Sequence, residues 1–142
     1  VRVGYLAGVP AHPPRLVDAM EVAAPLDARA RAYLDINCGH CHSATGPAIT
    51  SGLWLDAQTQ DRLKLGFCKQ PIAAGKGTGN RLHDIEPGNA AASIFEFRMD
   101  SADPAIMMPE VGRSVVHREG VQLIRDWINA QPGSCESAAG ES

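Results

Sequence analysis

The stretch INCGHCHSATGPA, residues 36–48, places Cys38 and Cys41 three residues apart and sets His42 directly behind the second cysteine. Cysteines at this spacing can hold zinc, shuttle a disulfide, or anchor a prosthetic group through carbon–sulfur bonds. Structural zinc takes four ligands, and such a pair normally faces a second Cys or His cluster. None follows here: the other two cysteines, Cys68 and Cys135, stand alone and far apart. A thioredoxin-type redox pair sits after a strand in a βαβ pattern, which this chain lacks.

The remaining reading is covalent attachment of one c-type haem (heme c), for which Cys-x-x-Cys-His is the signature. On a helical turn, residues three apart share one side, so both sulfurs reach the two vinyl groups on one haem edge. The histidine that follows then lies under the iron as its proximal ligand. Cys38 and Cys41 are therefore candidate haem anchors and His42 a candidate metal ligand.

A sixth ligand is sought among the other histidines and the methionines. In IMMPEV, Pro109 biases Met108 toward extended backbone, and a loop held off a helical path can present its side chain inward. A thioether favours Fe(II), and His/Met ligation raises the potential toward electron transfer. Met108 is the candidate ligand and Met107 its substitute. Methionine as a gap filler beside an apolar ring is the plainer alternative. Met99 falls on a helical pattern and reads as core. His83 and His117 would serve a bis-His site but read as solvated loop residues. His40 is expected to be exposed beside the haem edge.

The elements that must position these groups read as helices and loops. Residues 1–25 hold Pro10, Pro13, Pro14 and Pro25 and read as an extended arm, with one helical turn over RLVDAME. LDARARAYLDINCGHCH puts Ala30, Tyr33, Leu34, Asn37, Cys38 and Cys41 on one stripe, with Asp27 as cap. TQDRLKL reads as a short second helix and residues 66–88 as loop. GNAAASIFEFRM reads as a third helix capped by Asn89, carrying Ile94, Phe95 and Met99. SADPAIMMPEVG is a loop. SVVHREGVQLIRDWINA is the most periodic segment, with Val121, Ile124, Trp127 and Ile128 on one face. Residues 133–142 read as a polar tail. No strand-type alternation of useful length occurs, so the pattern predicts an all-α domain.

The chain's 142 residues suit one domain, and its fourteen glycines and ten prolines predict extensive loop. A net charge of −3, with no basic run beyond two residues, argues against nucleic acid as a partner. No apolar stretch reaches the roughly 20 residues that span a bilayer. The chain carries no secretory signal, as expected of a mature, already cleaved chain or of a domain cut from a longer one.

RARAYLDINCGHCH, Gly46-Pro47, Met108-Pro109 and the final LIRDWI, in that order across residues 26–132, resemble the class I cytochrome c family. EPGNAAASIFEFRM, MMPEVG and EGVQLIRDWI also resemble modules appended to bacterial redox proteins. The resemblance implies a cytochrome c-like fold, a few helices wrapped around one covalently attached haem, with long loops. It implies that the first and last helices cross, with Gly120 permitting the approach. It further implies that the Pro47 carbonyl accepts the ring N–H of His42, and that Trp127 packs near the haem or at the crossing. Residues 53–88 are long for the family, so Trp54, Arg62, Lys64, Lys69 and Arg81 are only candidates for holding the propionates. Cys68 and Cys135 match nothing in the family motif. Haem attachment of this kind belongs to exported proteins, where the two form either a disulfide or a pair of buried thiols. AGKGTGN lacks the spacing and the strand of a phosphate loop.

The function expected is electron transfer through a single haem, without substrate turnover. The chain would act as a soluble carrier or as a domain of a larger redox protein. Its partners would be redox proteins, donor and acceptor, within a possible membrane-associated or multidomain complex, and its location a bacterial periplasm or another exported setting. The rival readings are an open haem iron that binds gas or peroxide, and a structural or docking haem module.

Overall fold

The computed structural model describes residues 3–5 and 7–135. Among the described residues there are three α-helices: α1 (Leu26–Leu34), α2 (Ile94–Met99) and α3 (Arg118–Asn129). A π-helical turn, Asp35–Gly39, continues from α1, and 3-10 turns occupy Ile49–Ser51, Gly75–Thr78 and Ala90–Ala92. No strand forms among the described residues; two isolated parallel bridges, Phe67 with Ile85 and His83 with Ser93, tie loops together.

This overturns the all-α, cytochrome c-like expectation. The α-helices are only 9, 6 and 12 residues long. The chain adopts a weakly helical, loop-dominated fold. The reasons are local. Over 59–65 the side chain of Asp61 accepts from the amides of Leu63 and Lys64, so the expected second helix is a series of turns. Asn89 does cap, accepting from Ala92 N–H at 3.2 Å, but the turn it caps ends at Ser93. Ser93 is extended and fully buried; its hydroxyl donates to the Asn89 carbonyl and accepts from Glu86 N–H. The expected helix over 88–99 is thus split, and only Ile94–Met99 is α-helical. RLVDAME is irregular over 15–18 and then makes one turn, with Asp18 accepting from Met20 N–H, rather than a helical turn.

α1 is rich in Ala, Leu and Arg, good helix formers. Pro25 stands at its N-cap, where a missing N–H costs nothing. Asp27 does not cap it: its carboxylate accepts the indole N–H of Trp127 at 2.7 Å, joining α1 to α3. Tyr33 makes a second tie, its hydroxyl 3.0 Å from His117 Nδ1 and its ring stacked on the imidazole. The two helices approach closely because position 120 is glycine; a methyl there would overlap the Tyr33 ring.

α3 buries Val121, Leu123, Ile124, Trp127 and Ile128, and Trp127 meets Phe67 edge to face. Leu34, Ile85, Ile124 and Ile128 are wholly buried at the centre of one core that also takes in Leu53, Leu55 and Leu65. The described part of the N-terminal arm is mostly exposed; Arg29 Nε donates to the Ala19 carbonyl and holds it to α1. Cys68 and Cys135 form a disulfide, which ties the segment after α3 to the central loop. The rest of the expected tail, residues 136–142, lies outside the described residues. No described helix is long and apolar enough to cross a membrane.

Candidate functional site

A cleft of about 260 Å³ opens between the end of α1, the 41–55 loop, α2 and the 104–111 loop. Cys38, Cys41, His42, Pro47, Met99 and Met108 all line it, among Leu34, Leu53, Leu55, Ile94 and Phe95. Residues 66 positions apart in sequence, His42 and Met108, are thus brought to one apolar space.

The cysteine end is built on the π turn rather than on a continuous helix. The Cys38 carbonyl accepts from both Cys41 N–H (3.1 Å) and His42 N–H (2.8 Å), which curls the segment at the cleft wall. The chain then folds back on itself. Ala48 N–H donates to the Cys41 carbonyl, and Leu55 N–H to the His42 carbonyl at 2.7 Å. Gly46 allows this return, since a side chain there would collide with the Cys41 carbonyl.

The methionine end is fastened to α2. Met108 N–H donates to the Arg98 carbonyl at 3.0 Å, while Arg98 Nε donates to the Ile106 carbonyl at 2.8 Å. Arg113 adds guanidinium hydrogen bonds to the carbonyls of Met99, Arg98 and Ser101, at and just beyond the end of α2. Met108 lines the cleft and Met107 does not; Met99 is buried in the core at its edge.

Electrostatics and geometry bear on the alternative cysteine chemistries. Cys38 and Cys41 are free thiols. Burial, reinforced by the Cys41 sulfur, pushes the Cys38 thiol up to about 12. A redox-active pair needs the opposite, a thiol lowered toward neutrality. Nor do the ligand atoms of Cys38, Cys41 and His42 gather as a metal cluster. Among the described residues the one such group is His83, Glu86 and Cys135, whose sulfur is already bonded to Cys68. Burial, and then the Arg98 charge, lower the His42 imidazole below its usual range, so it stays neutral and keeps a lone pair for a ligand.

Several expected placements are corrected. His42 Nδ1 is hydrogen-bonded to Ser51 Oγ at 3.1 Å, not to the Pro47 carbonyl, although Pro47 does line the cleft. Trp127 lies at the α1–α3 crossing, one of its two expected places, and does not line the cleft, so it is not among the cofactor-facing residues. None of the five proposed propionate partners lines it either. Lys64 sits over the Trp54 ring, Arg62 over Phe67 and Arg81 over Phe97, while Lys69 pairs with Asp84 at 3.3 Å. The cation that does line the cleft is Arg98, with Asp84 and Glu110 nearby. His83 is paired with Glu86 at 2.8 Å and His117 with Tyr33, so neither faces the cleft. His40 is exposed at the cleft's edge, as expected.

Sequence reasoning passed over Ser51 and Arg98. Ser51 precedes Gly52, whose left-handed backbone (φ 69°) ends a turn, a signal for a fixed hydroxyl. Arg98 sits one residue before Met99 in a pattern read only for its apolar members. No family model, curated protein or solved structure matches the chain.

Proposed function

We propose that this chain binds one c-type haem through thioether bonds from Cys38 and Cys41, with His42 and Met108 as axial ligands, and transfers single electrons between protein partners. The observation that carries this reading is the composition of one cleft. Two unpaired thiols and a neutral imidazole from residues 38–42, and a thioether from Met108, line the same apolar space. That donor set fits a haem: thiols to add across its vinyl groups, a nitrogen and a soft sulfur for iron, and apolar walls for the ring. Arg98 supplies a cation for the acidic side chains of such a group.

The haem, when bound, contributes a ferric/ferrous couple. The chain's part is to hold both ligands while the charge changes, to keep water from the ring, and to leave one edge open. Arg98 and Arg113 perform the first task for Met108 by fixing the loop that bears it. The Cys68–Cys135 disulfide supports an oxidising, exported setting.

The test is to produce the chain in a bacterial host that attaches haem, and to record oxidised and reduced spectra into the near infrared, with and without carbon monoxide. Haem that stays with the chain under denaturing conditions, a low-spin reduced spectrum, a methionine-to-ferric-iron band and no response to carbon monoxide are expected. Unmodified thiols would overturn the attachment. A high-spin spectrum with rapid carbon monoxide binding would replace electron transfer with gas or peroxide chemistry.

A further inference from the structure

We infer that Ser51 is the positioning residue of His42, with its hydroxyl as the acceptor that fixes which ring nitrogen faces the cleft. The inference rests on the haem reading for its consequence, but its geometry stands alone. A serine hydroxyl has one hydrogen to give and two lone pairs to receive with. Ser51 Oγ lies 2.7 Å from the Ala48 carbonyl, which can only accept, so the hydroxyl hydrogen is committed there. Leu53 N–H donates to Oγ at 3.2 Å and takes one lone pair. The remaining lone pair meets His42 Nδ1 at 3.1 Å. A bare Nδ1 would set two lone pairs against each other, so Nδ1 carries the proton and donates. Nε2 is then bare, and among the described residues it has no protein partner.

The backbone around Ser51 is built to hold this arrangement. Ser51 N–H donates to the Ala48 carbonyl, Gly52 N–H to the Ile49 carbonyl, and Ala48 N–H to the Cys41 carbonyl, one residue before His42. The hydroxyl and the imidazole are therefore fixed within one short loop. A donor–acceptor bond at the far nitrogen of a ligating histidine sets the ring's direction and raises its basicity. A hydroxyl that is already donating elsewhere and receiving from Leu53 is a saturated acceptor. Ser51 thus sets both the direction and the electron donation of His42.

The experiment compares wild type, Ser51→Ala and Ser51→Thr, made with ¹⁵N-histidine in a haem-attaching host, with haem content measured in each. In haem-bearing protein, Ser51→Ala is expected to speed solvent exchange of the His42 Nδ1 proton and to raise the reduction potential, because the ring loses its acceptor and donates less to ferric iron. Ser51→Thr keeps the hydroxyl and is expected to restore both values. A purely structural role would not return with the hydroxyl. Exchange and potential unchanged in Ser51→Ala, or a folded Ser51→Thr that behaves unlike wild type, would overturn the inference. If no sample carries haem, the functional reading has failed and the ring nitrogens decide separately. A protonated Nδ1 in wild type and Ser51→Thr, lost in Ser51→Ala, upholds the role of Ser51; identical ¹⁵N patterns in all three overturn it.

Discussion

On the proposed haem reading, Met108 is the residue on which the choice between a closed and an open iron turns. Its backbone is tied to α2 and its side chain lines the cleft, so truncation should remove the proposed ligand without releasing the loop. Met108→Ala in haem-bearing protein is expected to bind carbon monoxide where wild type does not, and to lower the potential, since the thioether favours the ferrous state. A second cleft residue gives a pH signature that needs no haem. Burial raises the Asp84 carboxyl above its usual range, against the opposing pull of Lys69. The folded state therefore holds this proton more tightly than the unfolded one, so its contribution is full below the unfolded value, about 4, and fades as pH rises through the folded one. The difference in urea stability between wild type and Asp84→Asn, followed upward from pH 3.5, should shift in favour of the variant across that window. A flat difference would mean that Asp84 is not held this way. At this scale Cys38, Cys41 and His42 stood out in the sequence because the proposed attachment chemistry would need their spacing, and all three line the cleft. Ser51, Arg98 and Asp84 were not, because an acceptor or a counter-charge can come from any loop that happens to pass.

Among the elements, α1 and α3 were legible from their apolar spacing, and their crossing depends on one position. Ala at 120 would gain helix propensity, about 1 kcal/mol over Gly. Against this, the added methyl would enter the Tyr33 ring, which is buried and held by stacking on His117. Overpacking a ring that cannot move costs roughly 1–3 kcal/mol. Gly120→Ala is therefore expected to be destabilising in denaturant titration, and Tyr33→Leu to relieve part of the cost in the double variant through coupling between touching residues. Additive losses would show that the two helices have room to part. The segments misread as helix share a different physics. In 59–65 and 88–99, short polar side chains, those of Asp61, Asn89 and Ser93, bond nearby backbone amides and carbonyls more readily than the helical ladder does. Hydrophobic spacing does not register that competition. The π turn at Cys38 likewise leaves no trace in periodicity, although it shapes the wall that carries both thiols.

For the whole molecule, the small share of helix means that order must come from loop-to-loop ties, and the Cys68–Cys135 disulfide is a covalent one. It closes a sequence separation of 67, and on the chain-entropy account a loop of that length contributes about 4 kcal/mol. That is a large fraction of the total stability of a domain this size, typically about 5–15 kcal/mol. The bond also sits near the cleft. Cys68 N–H donates to the Ile85 carbonyl, Cys135 N–H to Glu86, and Asp84 one residue away lines the cleft. Replacing both cysteines by serine is expected to lower the denaturant midpoint by an amount equivalent to roughly 2–4 kcal/mol. The cleft itself is held by separate bonds, from Arg98, Arg113 and the 41–55 return. Haem attachment at Cys38 and Cys41 is therefore expected to survive in the folded variant, with an unchanged reduced spectrum. A variant as stable as wild type would show that the unfolded chain is already compact across residues 68–135. A variant that folds but takes up no haem would show that the disulfide shapes the cleft as well as the fold.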